Sequence, residues 1–238
     1  MQIYWTKIHQ IIEETPEIKT YMLDRPEGFT WEEGAHTHMA LKGFNEGEQP
    51  NRGLVRHMSI CTLPHENAIG ITTRIREKCS EFKSILRNMK AGDEVALFKT
   101  HSNVPLKREG RKIYLLSSGV GLATFRPLAL EYFRHPDNIA HMHSLNIESS
   151  RNFLFMDIFK SAPDKNFTVQ YVDNRQDYYE EVKKLSADKE GIFYIVGSDE
   201  FLMQNIELLM DQGIKQENIM LDKRERQLAQ FFSMDMSV

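Results

Sequence analysis

The sequence predicts a chain of two domains, an antiparallel six-stranded β-barrel followed by an α/β domain with a five-stranded parallel sheet. Short segments that alternate polar and apolar residues, separated by glycine and proline, occupy about the first 100 positions, as is typical of antiparallel structure. From position 111 onward, apolar strands alternate with helical periods, as in a parallel sheet covered on both faces. The polar stretch 107–110 separates the two patterns, and we predict domains over 1–108 and 109–238.

The first domain is predicted to contain six strands and one helix. Strands are expected over 1–12, 17–23, 37–42, 54–61, 68–75 and 94–99. The helix is expected over 80–89, because Phe82, Ile85, Leu86 and Met89 recur on one helical face.

The second domain is predicted to alternate five strands with four helices. The strands are expected over 112–116, 139–147, 167–172, 192–196 and 218–221. The helices are expected over 122–133, 150–159, 176–185 and 201–210. The residues 229–238 are interpreted as a C-terminal tail that extends past the last strand.

Composition excludes several classes of protein. The 238 residues are 41% hydrophobic with a net charge of −4, which fits a globular protein and argues against nucleic acid as the main partner. No apolar run approaches the roughly 20 residues of a membrane span, and the N-terminus lacks a signal-peptide pattern. Two cysteines, Cys61 and Cys79, cannot form a disulfide framework, so we expect a cytoplasmic protein.

Histidines occur in two pairs with strand spacing. His36 and His38 share one strand face, as do His141 and His143. Neither pair has a third ligand that the sequence can name, so we predict no metal site and interpret these residues as core or surface histidines.

The segment 113–126 runs from an apolar strand through two glycines into a helix. Gly119 and Gly121 would allow close approach of the backbone to a pyrophosphate, which the N–H groups at the helix start would hold. The third glycine of the dinucleotide fingerprint is absent. The segment is therefore interpreted either as a nucleotide loop or as a tight strand-to-helix turn.

Four segments, in this order, resemble motifs of the ferredoxin–NADP reductase family. Arg56-His57-Met58-Ser59 resembles the flavin motif R-x-Y-S, and the segment 80–94 resembles the one that carries the flavin pyrophosphate. The segment 119–126 resembles the nicotinamide loop G-x-G-x-x-P-F-R, and 194–199 resembles the late strand ending in C-G-P. The resemblance covers nearly the whole chain and implies a barrel that binds FAD and a second domain that binds NADPH or NADH.

The resemblance also implies roles for individual residues. Ser59 would lie near the reactive flavin nitrogen and is the candidate catalytic residue, and Arg56 would pair with the pyrophosphate. The implied flavin contacts are Arg56, His57, Met58, Ser59, Thr72, Thr73, Arg74, Ser80, Phe82, Lys83 and the C-terminal aromatic Phe232. The implied nicotinamide-cofactor contacts are Gly119, Val120, Gly121, Leu122, Ala123, Thr124, Ser150, Arg151, Gly197 and Ser198.

The implied function is a flavoprotein oxidoreductase that passes electrons from NAD(P)H through FAD to a separate acceptor, such as ferredoxin or another small redox partner. Ferric chelates, quinones and haemoproteins remain alternative acceptors. Met58 stands where the family has tyrosine, and Val196 where it has cysteine. These departures keep open a flavin- or nucleotide-binding regulatory protein without turnover. The absence of a cysteine cluster disfavours the branch of dihydroorotate dehydrogenase electron-transfer subunits.

The choice of cofactor has opposing signals. Ser150 and Arg151 would hold a 2′-phosphate, which slightly favours NADPH, whereas Glu148 beside them suits the free 2′-hydroxyl of NADH. FAD is preferred over FMN because six basic residues lie in the segment 74–90. The outer part of that segment would also suit an acidic redox partner.

Overall fold

The computed structural model describes residues 2–163 and 165–232. Contacts divide the chain between Pro105 and Leu106 into two compact units. The first unit includes residues up to 105 together with Arg126–Leu128, and the second contains the rest. The boundary predicted from sequence follows residue 108.

The first unit is an antiparallel barrel. Its described elements are β1 (Tyr4–Thr15), β2 (Ile18–Asp24), β3 (Ala35–Leu41), β4 (Val55–Ser59), β5 (Ala68–Arg74), α1 (Glu81–Asn88) and β6 (Glu94–Ser102). The six strands hydrogen-bond in the order β4-β3-β6-β1-β2-β5. An antiparallel bridge between Ile60 and Ile71 joins the two ends of this order, so the sheet closes on itself.

Side chains point alternately into and out of the barrel along each strand, and the inward ones form its core. On β3, Met39 and Leu41 point inward to the same core as Tyr21 and Leu23 of β2. Helix α1 adds Phe82 and Leu86, both fully buried, to this core. The Tyr21 hydroxyl donates to the carbonyl oxygen of Leu86 at 2.9 Å. This bond fixes the end of α1 against β2 and satisfies the buried hydroxyl.

The second unit is a parallel sheet with helices. Its described elements are β7 (Arg111–Ser118), α2 (Leu122–Arg134), β8 (Ile139–Ile147), α3 (Met156–Lys160), β9 (Phe167–Val172), α4 (Arg175–Leu185), β10 (Ile192–Val196), α5 (Asp199–Asp211), β11 (Ile219–Leu221) and α6 (Glu225–Phe232). The strand order is β11-β10-β7-β8-β9, and all pairs are parallel. The order reverses between β7 and β10, where ligands of such sheets bind.

The two predicted fold types are therefore confirmed, but some element bounds are wrong. The helix predicted over 150–159 is only the short α3, because Arg151 and Phe155 have φ angles of 61° and 53° that a right-handed helix cannot include. Strand β6 continues beyond 99 to Ser102, past a left-handed residue at Lys99. Residues 229–232 of the predicted tail belong to α6, which begins four residues earlier, and residues 233–238 lie outside the described part.

Within residues 2–163 and 165–232, no helix combines the length and the apolar character needed to cross a membrane.

Candidate functional site

The glycine segment forms a tight turn between β7 and α2. Gly119 has a φ of +53°, in the left-handed region that favours glycine, and a single 3₁₀ turn leads into α2. A Cβ at Gly121 would lie 2.6 Å from the carbonyl oxygen of Val196, at the end of β10. The second glycine is thus required for close packing of the turn against β10, and the segment lies at the point where the strand order reverses.

The side chains after the turn do not face outward. Leu122, Ala123 and Thr124 are at most 2% exposed. These three predicted contacts could therefore reach a ligand only through their backbone N–H groups. Backbone N–H groups at a helix start are the groups that bind a pyrophosphate in such sites. Val120 is half-buried.

A buried amide that the sequence analysis missed holds this turn. The Asn146 Nδ2 atom donates to Ser117 Oγ at 2.9 Å and to the Ser117 carbonyl oxygen at 3.3 Å. Asn146 lies on β8 beside the end of β7 and is 1% exposed. The sequence did carry a signal for this contact, because Asn146 is a polar residue in an otherwise apolar stretch, one position before the end of the strand.

The end of β10 forms the other side of the same edge. Ser198 caps α5, and its Oγ accepts a hydrogen bond from the Phe201 backbone N–H at 3.2 Å. A Cβ at Gly197 would lie 2.5 Å from the Phe201 ring. A small cavity at this edge is lined by residues that include Ser118, Ile147, Ser198 and Phe201. The structure therefore brings together the ends of β7, β8 and β10, where the sequence predicted nucleotide contacts.

The end of β8 carries a fixed carboxylate. Glu148 is 7% exposed, and its Oε1 accepts from the Ser150 backbone N–H at 3.1 Å and from the Ser150 hydroxyl at 2.8 Å. The exposed Arg151 side chain forms an ion pair with Asp173, the residue that follows β9. A side-chain hydrogen bond from Asn174, together with that of Arg151, holds the pKa of Asp173 below its usual value.

In the barrel, Arg56 lies against α1. Its guanidinium is 5.5 Å from the centre of the Phe82 ring, and Nη1 donates to the carbonyl oxygens of Gly53 and Val55 at 3.2 and 2.7 Å. Arg56 is therefore positioned by local backbone and an aromatic face rather than by a carboxylate.

Four cations gather around the start of α1. Burial lowers the pKa of Lys83; Cys79 opposes this effect, and the positive charges of Arg56, Arg76 and Arg74 each lower the pKa further. The Lys83 Nζ atom donates to the Arg74 carbonyl oxygen at 2.7 Å. Ser80 precedes the first turn of α1, and its side chain makes no capping bond there. Such mutual repulsion between cations is relieved when an anion binds among them.

Other predicted flavin contacts on β4 and β5 are buried or half-buried. Met58 is 8% exposed and belongs to the barrel core, so little of its surface is available to a ring system. The Thr72 hydroxyl lies 2.8 Å from that of Thr20 and donates to Cys61 Sγ at 3.2 Å. Thr73 is also buried. Ser59 is half-buried next to Met58, on the opposite face of β4.

His57 belongs to a cluster of imidazoles on β3, β4 and β6. Its ring centre is 3.8 Å from that of His36, which is fully buried and lies 4.1 Å from His101. Among the described residues, no group of three histidine, cysteine, aspartate or glutamate side chains has the geometry of a metal site.

The predicted C-terminal aromatic lies in α6. Phe232 and Phe231 pack, half-buried, against the core formed by α4, α5 and the sheet of the second unit. The Lys223 ammonium lies 5.4 Å from the centre of the Phe231 ring.

No protein-family model matches the chain. Among curated proteins, a probable dihydroorotate dehydrogenase B (NAD(+)) electron transfer subunit from Methanocella arvoryzae is 31% identical over 121 residues. That match spans 51% of this chain and only 40% of the length of the relative. We expected from the missing cysteine cluster that the chain does not belong to this branch of electron-transfer subunits. A match over half of the chain does not test that expectation, which stays a prediction.

Solved structures match almost the whole chain. A ferredoxin NADP+ reductase from Neisseria gonorrhoeae, with bound FAD and NADP, has a TM-score of 0.77 at 16% identity, over 93% of this chain and 98% of that one. The CS-b5R domains of human Ncb5or, in the NAD+ form, have a TM-score of 0.75 at 14% identity, over 93% and 70% of the two chains. The chain therefore has the fold of the ferredoxin–NADP reductases and related reductases, as the sequence resemblance implied.

Proposed function

We propose that this protein is a flavoprotein oxidoreductase that takes electrons from a reduced nicotinamide nucleotide and passes them through FAD to a separate acceptor. The observation that carries the proposal is the combination of two sites in one chain. The barrel has a cluster of cations at the start of α1, and the parallel sheet has a glycine turn at the reversal of its strand order.

The cation cluster fits a flavin diphosphate. Arg56, Arg74 and Arg76 stand around Lys83, and repulsion among them contributes to the lowered pKa of Lys83. Guanidinium groups suit phosphate because they donate two parallel hydrogen bonds. The free N–H groups at the start of the eight-residue α1 add further donors. FAD in this cradle would supply a centre that accepts two electrons and releases them singly.

The chain's own residues would align and shield that centre. Ser59, at the end of β4, is the proposed contact to the reactive flavin nitrogen, as a hydrogen-bonding hydroxyl beside the motif arginine. Met58, facing the barrel core, would contribute through packing of β4 rather than through contact with the ring.

The nicotinamide nucleotide is proposed to bind at the carboxyl edge of the parallel sheet. The turn at Gly119–Gly121 would hold its pyrophosphate, since the N–H groups there start α2. Gly197 and Ser198, at the end of β10, form the facing wall of the same crevice.

The electron acceptor is proposed to be a small acidic redox protein such as ferredoxin. The relative from Methanocella is named as an electron transfer subunit, and the Neisseria reductase is named for ferredoxin. Exposed cations before and after α1, such as Lys78 and Lys90, supply a positive surface that would steer an acidic partner. Cys61 and Cys79 are free thiols, which fits a reducing compartment, and we place the protein in the cytoplasm on that ground.

The test begins with the purified protein. We expect it to retain FAD, or to bind added FAD in preference to FMN, and we expect a reduced nicotinamide nucleotide to bleach the flavin absorbance without oxygen. An acceptor panel with a ferredoxin, a quinone and a ferric chelate then identifies where the electrons go. A protein that binds no flavin and reduces no acceptor would contradict the proposal.

Arg56→Ala tests the cation cluster, and Arg134→Ala is its matched control. Because its guanidinium is one of the diphosphate cations, we expect FAD affinity to fall by about tenfold or more, the value of one charge-assisted contact. Arg134→Ala removes an exposed arginine from the end of α2 and should leave FAD affinity unchanged.

The alternative is a regulatory protein that binds flavin without turnover. The inward direction of Met58, in place of a tyrosine, is the observation that favours it. Tight FAD binding together with no reduction by either nucleotide would select this alternative.

A further inference from the structure

We infer that the protein selects NADH over NADPH, and that Glu148 is the specificity-determining residue. The inference rests on the proposed function, because it assigns the ribose end of the proposed nucleotide site. It also reverses the slight preference for NADPH that the sequence favours.

Strand order places the ribose near Glu148. A pyrophosphate at the end of β7 directs the adenosine half of a dinucleotide towards the next strand of the sheet, which here is β8. Glu148 is the first residue after β8, and its backbone N–H donates to the carbonyl oxygen of Val172 at 3.0 Å. The ends of β8 and β9 are thereby joined, and Glu148 stands at the edge where the ribose would lie.

The carboxylate of Glu148 is held in place. Both donors of Ser150, its backbone N–H and its hydroxyl, bond to the same Oε1 atom at 3.1 and 2.8 Å. With 7% of its surface exposed, the side chain has little freedom to swing away from a ligand. A fixed carboxylate accepts hydrogen bonds from a ribose hydroxyl and repels a phosphate.

The two residues that favoured NADPH in the sequence are engaged with carboxylates. Ser150 donates its hydroxyl to Glu148, and the Arg151 guanidinium pairs with Asp173. The left-handed backbone of Arg151, with a φ of 61°, accompanies a bond from its N–H to the Glu148 carbonyl oxygen at 3.0 Å. This tight turn after β8 places Arg151 beside the end of β9.

The balance of charge at this edge is negative. Arg175, the first residue of α4, follows the end of β9, and its guanidinium lies 3.5 Å from Glu200. Three carboxylates thus stand against two guanidinium groups. A 2′-phosphate would add a further charge of about −1.5 to −2 at this edge. The 2′-hydroxyl of NADH adds no charge and can donate a hydrogen bond to Glu148.

The test measures binding of the oxidised nucleotides, which requires no turnover. Calorimetric titration of the FAD-loaded protein with NAD+ and with NADP+ should give a dissociation constant for NAD+ that is lower by about tenfold or more, as repulsion from one fixed charge allows. Glu148→Gln keeps the size and the acceptor oxygen, and it should reduce the ratio of the two constants by about fivefold or more.

Two further variants keep the result interpretable. Asp173→Asn neutralises a half-buried carboxylate at the same edge, so it tests the charge effect even if Glu148→Gln does not fold, and it should raise NADP+ affinity by about threefold. Glu217→Gln makes the same change of charge before β11, at the opposite edge of the sheet, and should leave the ratio unchanged.

The outcomes separate this inference from the proposed function. Equal or tighter binding of NADP+ by the natural protein, or a ratio that neither carboxylate variant alters, would overturn the assignment of Glu148 and leave the nucleotide site standing. Binding of neither nucleotide would overturn the site itself and the inference with it.

Discussion

Gly121 marks the closest approach between the turn after β7 and the end of β10. Gly121→Ala would place a methyl group 2.6 Å from the Val196 carbonyl oxygen, and backbone at that position cannot move aside cheaply. We expect the free energy of unfolding to fall by about 1–3 kcal/mol, as for other overpacked sites, together with a loss of nucleotide affinity. Denaturant titration and NAD+ titration measure the two effects.

A matched glycine variant accompanies this prediction. Gly47→Ala adds the same methyl group in a loop, where its nearest neighbour, the Gln49 carbonyl oxygen, would be at an ordinary 3.5 Å. It should leave both properties unchanged. If Gly121→Ala bound nucleotide as tightly as the Gly47 variant, the turn would not be the pyrophosphate site.

His143 predicts how stability depends on pH. Burial lowers its pKa from 6.5 to about 4, and the neighbouring charge of His141 adds to the effect, while Glu181 opposes it. The unfolded chain therefore takes up a proton on His143 at a higher pH than the folded chain does. The stabilisation is fully present above about pH 6.5 and is lost as the pH falls towards 4.

Replacement of His143 should flatten that dependence. The full difference corresponds to about 3 kcal/mol, so His143→Gln should lose much of the fall in the free energy of unfolding between these pH values. Urea denaturation at several pH values measures it. His65→Gln, at an exposed position, should keep the natural slope, and an unchanged slope in the His143 variant would refute the assignment.

Among the elements, α1 connects the barrel core to the cation cluster. Phe82 is fully buried under the helix, and Ile85, on the other face, is 39% exposed. Phe82→Ala should lower the free energy of unfolding by about 3–5 kcal/mol, and it should weaken FAD binding because the ring lies against the Arg56 guanidinium.

Ile85→Ala is the control on the same helix. It also shortens an apolar side chain to alanine, but at an exposed position. It should change the free energy of unfolding by only about 0.5 kcal/mol, as surface substitutions do. Denaturant titration and flavin release would be compared for both variants. Equal effects would show that α1 does not pack as described.

Element prediction succeeded where periodicity and local backbone preference agreed. The predicted apolar face of α1 is confirmed for Phe82 and Leu86 but is wrong for Ile85, which is exposed on the other side of the helix. The strands 139–147, 167–172 and 192–196 have the predicted bounds. The region 150–159 failed because left-handed residues at Arg151 and Phe155, neither of them glycine, interrupt the helical pattern. That turn is held by two local bonds from Ser150 to Glu148 and by the ion pair of Arg151 with the more distant Asp173, which hydrophobic periodicity does not report.

At the scale of the whole molecule, a ligand that binds only the folded chain must raise its melting temperature. FAD at about 100 times its dissociation constant should add about 2.7 kcal/mol, or about 5–10 °C for a chain of this size. Riboflavin, which lacks the diphosphate that the cation cluster would hold, should raise it far less. Calorimetric scans with FAD, FMN and riboflavin test this order, and equal shifts would place the binding energy outside the cluster.

The sequence by itself determined the two fold types, the element order and the position of the glycine turn, because hydrophobic period and glycine placement are local properties of the chain. Only the tertiary structure decided that β7 lies between β8 and β10, that Met58 points into the barrel, and that Arg151 pairs with Asp173. Those facts depend on which distant segments meet. The direction of a side chain and the partner of a charge are set by packing and electrostatics between elements, which periodicity along the chain does not encode.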